Sequence, residues 1–77
     1  MDNGKLETAK TMTRDNIVTA IQVAEITRLF TFDNNRLDFA KFAFDYTYDR
    51  DAYHIVSDAL AFQKNKDNLL QYIQKKK

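Results

Sequence analysis

An all-α fold, a small five-helix orthogonal bundle of two related helix-turn-helix halves, is predicted by three features of this 77-residue chain. It has no proline and a single glycine, while Ala, Leu, Lys and Gln are plentiful. Such a composition favours helices joined by short turns that Asn and Asp can make. Apolar residues recur at three- and four-residue spacing in five separate stretches. Eight of the ten aromatic side chains fall between Leu29 and Tyr53, which concentrates the bulk of a core in and around one central helix.

The length allows one domain, 1–77, close to the lower limit for a chain that folds without disulfides or metals. Order is expected over about 4–74, followed by a lysine tail, Lys75 to Lys77. With no cysteine there is no disulfide frame and no thiolate metal site. No apolar run approaches the roughly 20 residues needed to span a bilayer, and no charged-then-apolar leader opens the chain. A soluble domain with no transmembrane segment is expected. The net charge of +1 is unevenly spread: residues 1–62 carry seven basic and ten acidic groups, residues 63–77 five and one. The basic excess is therefore a tail rather than a face of the folded part, and no nucleic-acid partner is expected.

The first helix rests on Leu6, Ala9 and Met12, with Asn3 as its cap, and is short. Thr13 to Val18 breaks the pattern. Thr19-Ala20-Ile21-Gln22 then has the form of a capping box and opens the second helix, which places Val23, Ile26 or Thr27, and Phe30 on one stripe. Asp33 and Asn34 are read as caps of helix three. At 100° per residue that helix has one apolar stripe of Leu37, Ala40 and Phe44 and another of Phe39, Phe42, Ala43 and Tyr46, so it needs neighbours on two sides. Asp38, Lys41 and Asp45 form a polar seam with ion-pair spacing. Asp49 or Asp51 is expected to cap helix four, with Ala52, Val56, Ala59 and Leu60 inward. Gln63 to Lys66 is read as a turn, and the last helix offers Leu69, Tyr72 and Ile73 to the core.

A faint internal echo accompanies this order. Lys5 to Lys10 aligns with Arg36 to Lys41 at a shift of 31, and Leu29 to Phe32 with Ala59 to Phe62 at a shift of 30. Two helix-turn-helix units are one reading of it. Chance recurrence of Leu and Ala on amphipathic helices is the other.

The joint pattern Phe30-x-Phe32-Asp33, Arg36-Leu37-x-x-Ala40-Lys41, Asp49 followed by Tyr53, and Ala59-x-x-Phe62 resembles DUF4476, a bacterial family of domains of unknown function. The likeness spans about Lys5 to Ile73. It implies a compact helical domain, often attached to exported proteins and hence periplasmic or extracellular, with no assigned activity. Two positions depart from the pattern: Asp45 stands in place of a proline, and Ala52 in place of the asparagine before the tyrosine.

His54, Ser57 and Asp58 form the one set with a nucleophile and a base at helical spacing. Three residues on the outer face of a single helix enclose no substrate, and no Gly-rich turn supplies free amides. The set is read as an ordinary polar face, and the domain as no enzyme. Asp45, Asp49 and Asp51 are candidate calcium ligands, although the loop lacks the central Gly and twelfth-position Glu of an EF-hand. Capping of helix four and pairing with Arg50 is the competing reading. Tyr46, Tyr48, Arg50 and Tyr53 are the candidate binding residues, because a Tyr ring packs while its hydroxyl reaches water. Against this, the same tyrosines can simply seal the edge of the core. No cofactor is implied. The functional expectation is a non-enzymatic protein-interaction or structural accessory domain of a bacterial exported protein, its protein partner unknown and its oligomeric state unread. A calcium-responsive module using Asp45, Asp49 and Asp51 is the alternative.

Overall fold

Among the described residues five α-helices are formed, and the one at the centre of the sequence is also at the centre of the packing. The structure, a computed structural model, describes residues 2–76, with side chains from residue 4 onward. In chain order the helices are α1 (Asp2–Asp15), α2 (Ala20–Thr27), α3 (Asp33–Phe44), α4 (His54–Ser57) and α5 (Gln63–Lys76), with a 3-10 turn at Arg50–Ala52. Helix α3 packs against α1, α2 and α5, while α4 packs on α2 and α5. The domain measures 29 × 26 × 18 Å. None of its described helices is long and apolar enough to cross a membrane.

Helix α1 is longer than its apolar spacing suggests, because its inner stripe is Leu6, Ala9 and Thr13 rather than Leu6, Ala9 and Met12. Around the axis Thr13 lies about 20° from Leu6 and Met12 about 120° from it. Met12 therefore faces outward. The side chain of Asn3, expected to cap this helix, lies outside the described residues.

Helix α2 starts where its sequence says. The Thr19 hydroxyl accepts from the Gln22 amide and the Gln22 side chain accepts from the Thr19 amide, a reciprocal capping box that satisfies two otherwise orphaned donors. Val23, Ala24 and Thr27 are buried. The Thr27 hydroxyl returns to the Val23 carbonyl at 2.7 Å, which allows a polar residue in the core.

Helix α3 carries the wide apolar arc that its sequence implies. Leu37, Phe39, Ala40, Ala43 and Phe44 are buried. Phe30 meets Phe39 at 5.6 Å between centroids, and Phe44 meets Tyr53 edge-on at 5.0 Å. The Arg36 guanidinium donates to the Phe30 carbonyl at 2.8 Å and so closes the α2–α3 turn. The polar seam does not pair within the helix. Asp38 takes Lys10 of α1 at 3.3 Å and Asp45 takes Lys76 of α5 at 3.2 Å, while Lys41 lies over the Tyr72 ring. Partners on neighbouring helices replace the expected intrahelical ladder.

Asp33 does not cap its own helix. The residue preceding α3 makes no side-chain capping bond. Instead the Asp33 carboxylate accepts from the backbone amides of Ala61 at 2.7 Å and Phe62 at 3.2 Å and from the Asn65 amide at 2.6 Å. It thus caps α5, whose first turn is Gln63 to Lys66 rather than the turn the sequence suggested. Helix four is likewise shorter than expected: Asp49 and Asp51 do not cap it, and Ala59 and Leu60 lie beyond its end although both are buried.

The shift of 30 reappears in the backbone. Leu29 donates to Ile26 as Ala59 does to Val56, Phe30 to Thr27 as Leu60 to Ser57, and Arg36 to Phe32 as Lys66 to Phe62. The two stretches make the same turn into the same kind of helix start.

Burial alone would raise the Asp33 carboxyl, but the Ala61, Asn65 and Phe62 hydrogen bonds and the nearby Arg36 charge outweigh it and hold the group below its ordinary value. A carboxyl depressed in the folded state contributes stability above the unfolded value of about 4 and loses it as pH falls through the folded value. Asp33→Ala is expected to cost about 3 kcal/mol at pH 7, since it leaves buried donors unpaired. Urea melts between pH 7 and pH 2.5 should show a smaller acid-induced loss of stability for Asp33→Asn than for the native chain.

Candidate interaction surface

The loop from Asp45 to Tyr53, where the sequence concentrates candidate residues, is held down along most of its length. Val18 donates its amide to the Tyr46 carbonyl at 3.2 Å and accepts from the Tyr48 amide at 2.8 Å, which makes a single parallel bridge between Val18 and Thr47. Two residues on, the Asp49 carboxylate accepts from the Ala20 amide at 2.8 Å. Asp49 therefore caps α2, 29 residues away. These three bonds fix the exit of α3 to the entry of α2.

The four candidate binding residues separate accordingly. Tyr53 is 3% exposed, with its ring on Phe44 and its hydroxyl donating to the Ala40 carbonyl, and burial pushes its phenol well above the ordinary value. It belongs to the core and is not part of a surface patch. Tyr46 is half-buried against Phe42, ring centroids 5.3 Å apart. Arg50 is exposed, donates to the Asp45 carbonyl at 2.9 Å, and lies over the Phe44 ring. Tyr48 alone of the tyrosines stands clear, 81% exposed.

The calcium reading needs Asp45, Asp49 and Asp51 to converge. Asp45 is held by Lys76, whose ammonium is raised by that bond, and Asp49 by the Ala20 amide, leaving Asp51 exposed on the 3-10 turn. Among the described residues no three acidic or histidine groups are placed to hold a metal ion. His54 and Asp58 are exposed while Ser57 is buried, so those three do not share the outer face that their spacing suggested.

A surface that sequence reasoning missed lies between α1 and α2. Each of these helices rests on α3, and they touch each other little. The space between them forms two hollows. One, of about 340 Å³, includes Thr13, Ile17, Gln22 and Glu25 in its walls. The other, of about 370 Å³, includes Lys5, Thr8, Leu29 and Phe30. Met12 and Ile26 line both, so the two are one groove. Phe30 in its wall is buried, whereas Met12 is 58% exposed, Ile17 78% and Leu29 67%. Singly exposed apolar residues are normal on any protein, and contiguity is what distinguishes a contact surface. The available signal was the helical angle of Met12, which departs from the stripe of Leu6 and Ala9. Ile17 and Leu29 gave none, since both lie outside the helices. Val18, which lines the groove, accepts a backbone hydrogen bond from the Tyr48 amide. In the groove wall the buried hydroxyl of Thr13 has no hydrogen-bond partner.

The architecture and this surface define a small all-α domain, tied together by internal capping bonds and open along one apolar groove. By sequence the chain belongs to the DUF4476 family, described as a domain of unknown function, whose model matches residues 1–73. No curated protein and no solved structure matches the chain.

Two outcomes check the local geometry. Asp49→Ala should destabilise the domain by about 1 kcal/mol through loss of the α2 cap, whereas Asp51→Ala should stay within about 0.5 kcal/mol, and calcium should leave Tm unchanged in a thermal melt. Thr13→Val keeps the shape and removes an unpaired buried hydroxyl, so chemical denaturation should find it as stable as the native chain or up to about 1 kcal/mol more stable.

Proposed function

We propose that this is a non-enzymatic protein-interaction domain whose contact surface is the α1–α2 groove, extended at its Ile17 end by Tyr48. The observation that carries the reading is the continuity of the apolar lining through Met12 and Ile26, with Ile17 and Leu29 open at either end. Covering a large apolar side chain completely is worth about 1.5–3 kcal/mol, part of which is offset by ordering and desolvation. A partner seated over Met12, Ile17 and Leu29 would gain at most about 9 kcal/mol from these side chains before that offset, which suits weak, reversible binding. The candidate polar groups elsewhere support the same reading: Asp45, Asp49 and Ser57 are engaged or buried, and His54 and Asp58 stand on an open face. A place in an exported bacterial protein is what the family resemblance implies for its setting.

An amphipathic helix with apolar residues at i, i+3 or i+4, and i+7 fits a groove between two helices. Selection of a displayed peptide library on the native domain, with Met12→Lys as counter-selection, should return peptides of that pattern. Their binding should shift amide resonances of Met12, Ile17, Ile26 and Leu29, and weaken about tenfold with Met12→Lys and by a smaller factor with Tyr48→Ala. Peptides that bind Met12→Lys equally well, or that shift only residues elsewhere, would overturn the groove as the contact surface.

A further inference from the structure

The helices pack in two rows. The long helices form one, α1 on α3 and α3 on α5, and the short helices α2 and α4 form the other. Each short helix also packs on the long helix that follows it, α2 on α3 and α4 on α5. The bonds that turn α2 into α3 recur 30 residues later between α4 and α5, and Lys5 to Lys10 of α1 echoes Arg36 to Lys41 of α3 at a shift of 31. Among the described residues α1 is therefore a long helix without a short one before it. The place where such a helix would lie, on α1 and beside α2, is the groove.

Burial at matched positions points to the same place. On α1 the groove residues Lys5, Thr8 and Met12 are exposed. Their counterparts on α3, at the shift of 31, are the half-buried Arg36 and the buried Phe39 and Ala43, and Phe39 is covered by Phe30 from the end of α2. On α2 the groove residues Glu25 and Leu29 are exposed and Ile26 is half-buried. At the shift of 30 their counterparts around α4 are the half-buried Ile55 and the buried Ala59 and Val56. All six positions are less covered where the groove is open.

We infer that the groove receives one partner helix, supplied from outside residues 1–77, that carries the buried pattern of α2 and α4. The inference rests on the groove being a protein-contact surface and adds the sequence pattern and direction of what it holds. The buried residues of the two short helices and their exits are Val23, Thr27 and Phe30 in one, Tyr53, Ser57 and Leu60 in the other. The pattern is a large apolar residue, Ser or Thr four positions on, and Phe or Leu at the seventh. Because Thr8 stands where α3 has Phe39, the last of these has a hollow of about 370 Å³ to enter. Direction follows from Arg36, which donates to the Phe30 carbonyl at the exit of α2. Lys5 holds the matching place on α1, where its ammonium meets the open carbonyls and negative dipole end of the incoming helix. That helix therefore runs parallel to α2, ending beside Lys5 and Leu29 and starting beside Asn16 and Gln22.

The probe is a synthetic peptide with the sequence of residues 19–32, added to the isotope-labelled full chain and followed through its amide resonances. It should bind with a Kd below about 1 mM. A nitroxide at the C-terminal end of the peptide should broaden Lys5 and Leu29, and one at its N-terminal end Asn16 and Gln22. Phe30→Ala in the peptide should weaken binding about tenfold. In the chain, Lys5→Glu should weaken it about two- to fivefold more than Lys5→Gln does, through repulsion at the helix end, with circular dichroism confirming that both variants fold. No binding by about 1 mM, broadening in the reverse order, or indifference to Phe30→Ala overturns the inference. Broadening at α3 and α4 in place of the groove, the mark of a peptide that displaces the native α2, overturns it as well. If displayed peptides of another pattern still shift Met12 and Ile26, the contact surface stands and only this occupant falls. If none does, the surface falls with it.

Discussion

The Asp33 carboxylate joins the beginning of α3 to the beginning of α5, and much of the packing follows from that junction. Its two oxygens take the amides of Ala61 and Phe62 and the side chain of Asn65, so a buried charge has every contact it needs to remain ionised. The start of α5 is rich in unpaired amides and carries the positive end of the helix dipole, which makes an acceptor delivered from another helix as effective as a local cap. Once the two helix starts are joined, α5 lies along the hub and presents Leu69 and Ile73 to it. Its far end is then held by Lys76 on Asp45.

The same device operates on the opposite side of the molecule, where Asp49 caps α2 and the Val18–Thr47 bridge holds the two loops together. Several of these bonds are made by residues of the pattern on which the family resemblance rests. Phe30 gives its carbonyl to Arg36, Asp33 binds the amide of Phe62, Tyr53 binds the carbonyl of Ala40, and Asp49 binds the amide of Ala20. In each of these bonds a residue of the pattern ties one segment of the chain to another. Helix α1 is the element least bound into this net. It meets the hub through Leu6, Ala9 and the Lys10–Asp38 pair, and the space between it and α2 is the groove that remains open.

The α1–α2 groove is lined mainly by apolar side chains, of which Met12, Ile17 and Leu29 are open to solvent. Beneath that groove the domain is stabilised internally by its capping carboxylates and aromatic pairs. The surface and the core thus have separate duties. Met12, Ile17 and Leu29 can change without loosening the ties that Asp33, Asp49 and Tyr53 make.

What the sequence by itself determined was local. The all-α class, the central position of α3 with apolar residues on two sides, and the start of α2 at Thr19 and Gln22 all depend on spacings of three or four residues, which a helix converts directly into shared faces and capping bonds. Tertiary structure decided the rest. Asp33 and Asp49 had the right chemistry to cap helices, but the amides they bind lie 28 and 29 residues away, and no local pattern carries that distance. Tyr53 turned inward because the Ala40 carbonyl came within reach of its hydroxyl, while Tyr48 of the same loop stayed exposed. A carboxylate or a phenol is equally at home in water or on a buried partner. Which of the two it meets is settled only when distant segments are brought together, and that is a property of the folded chain.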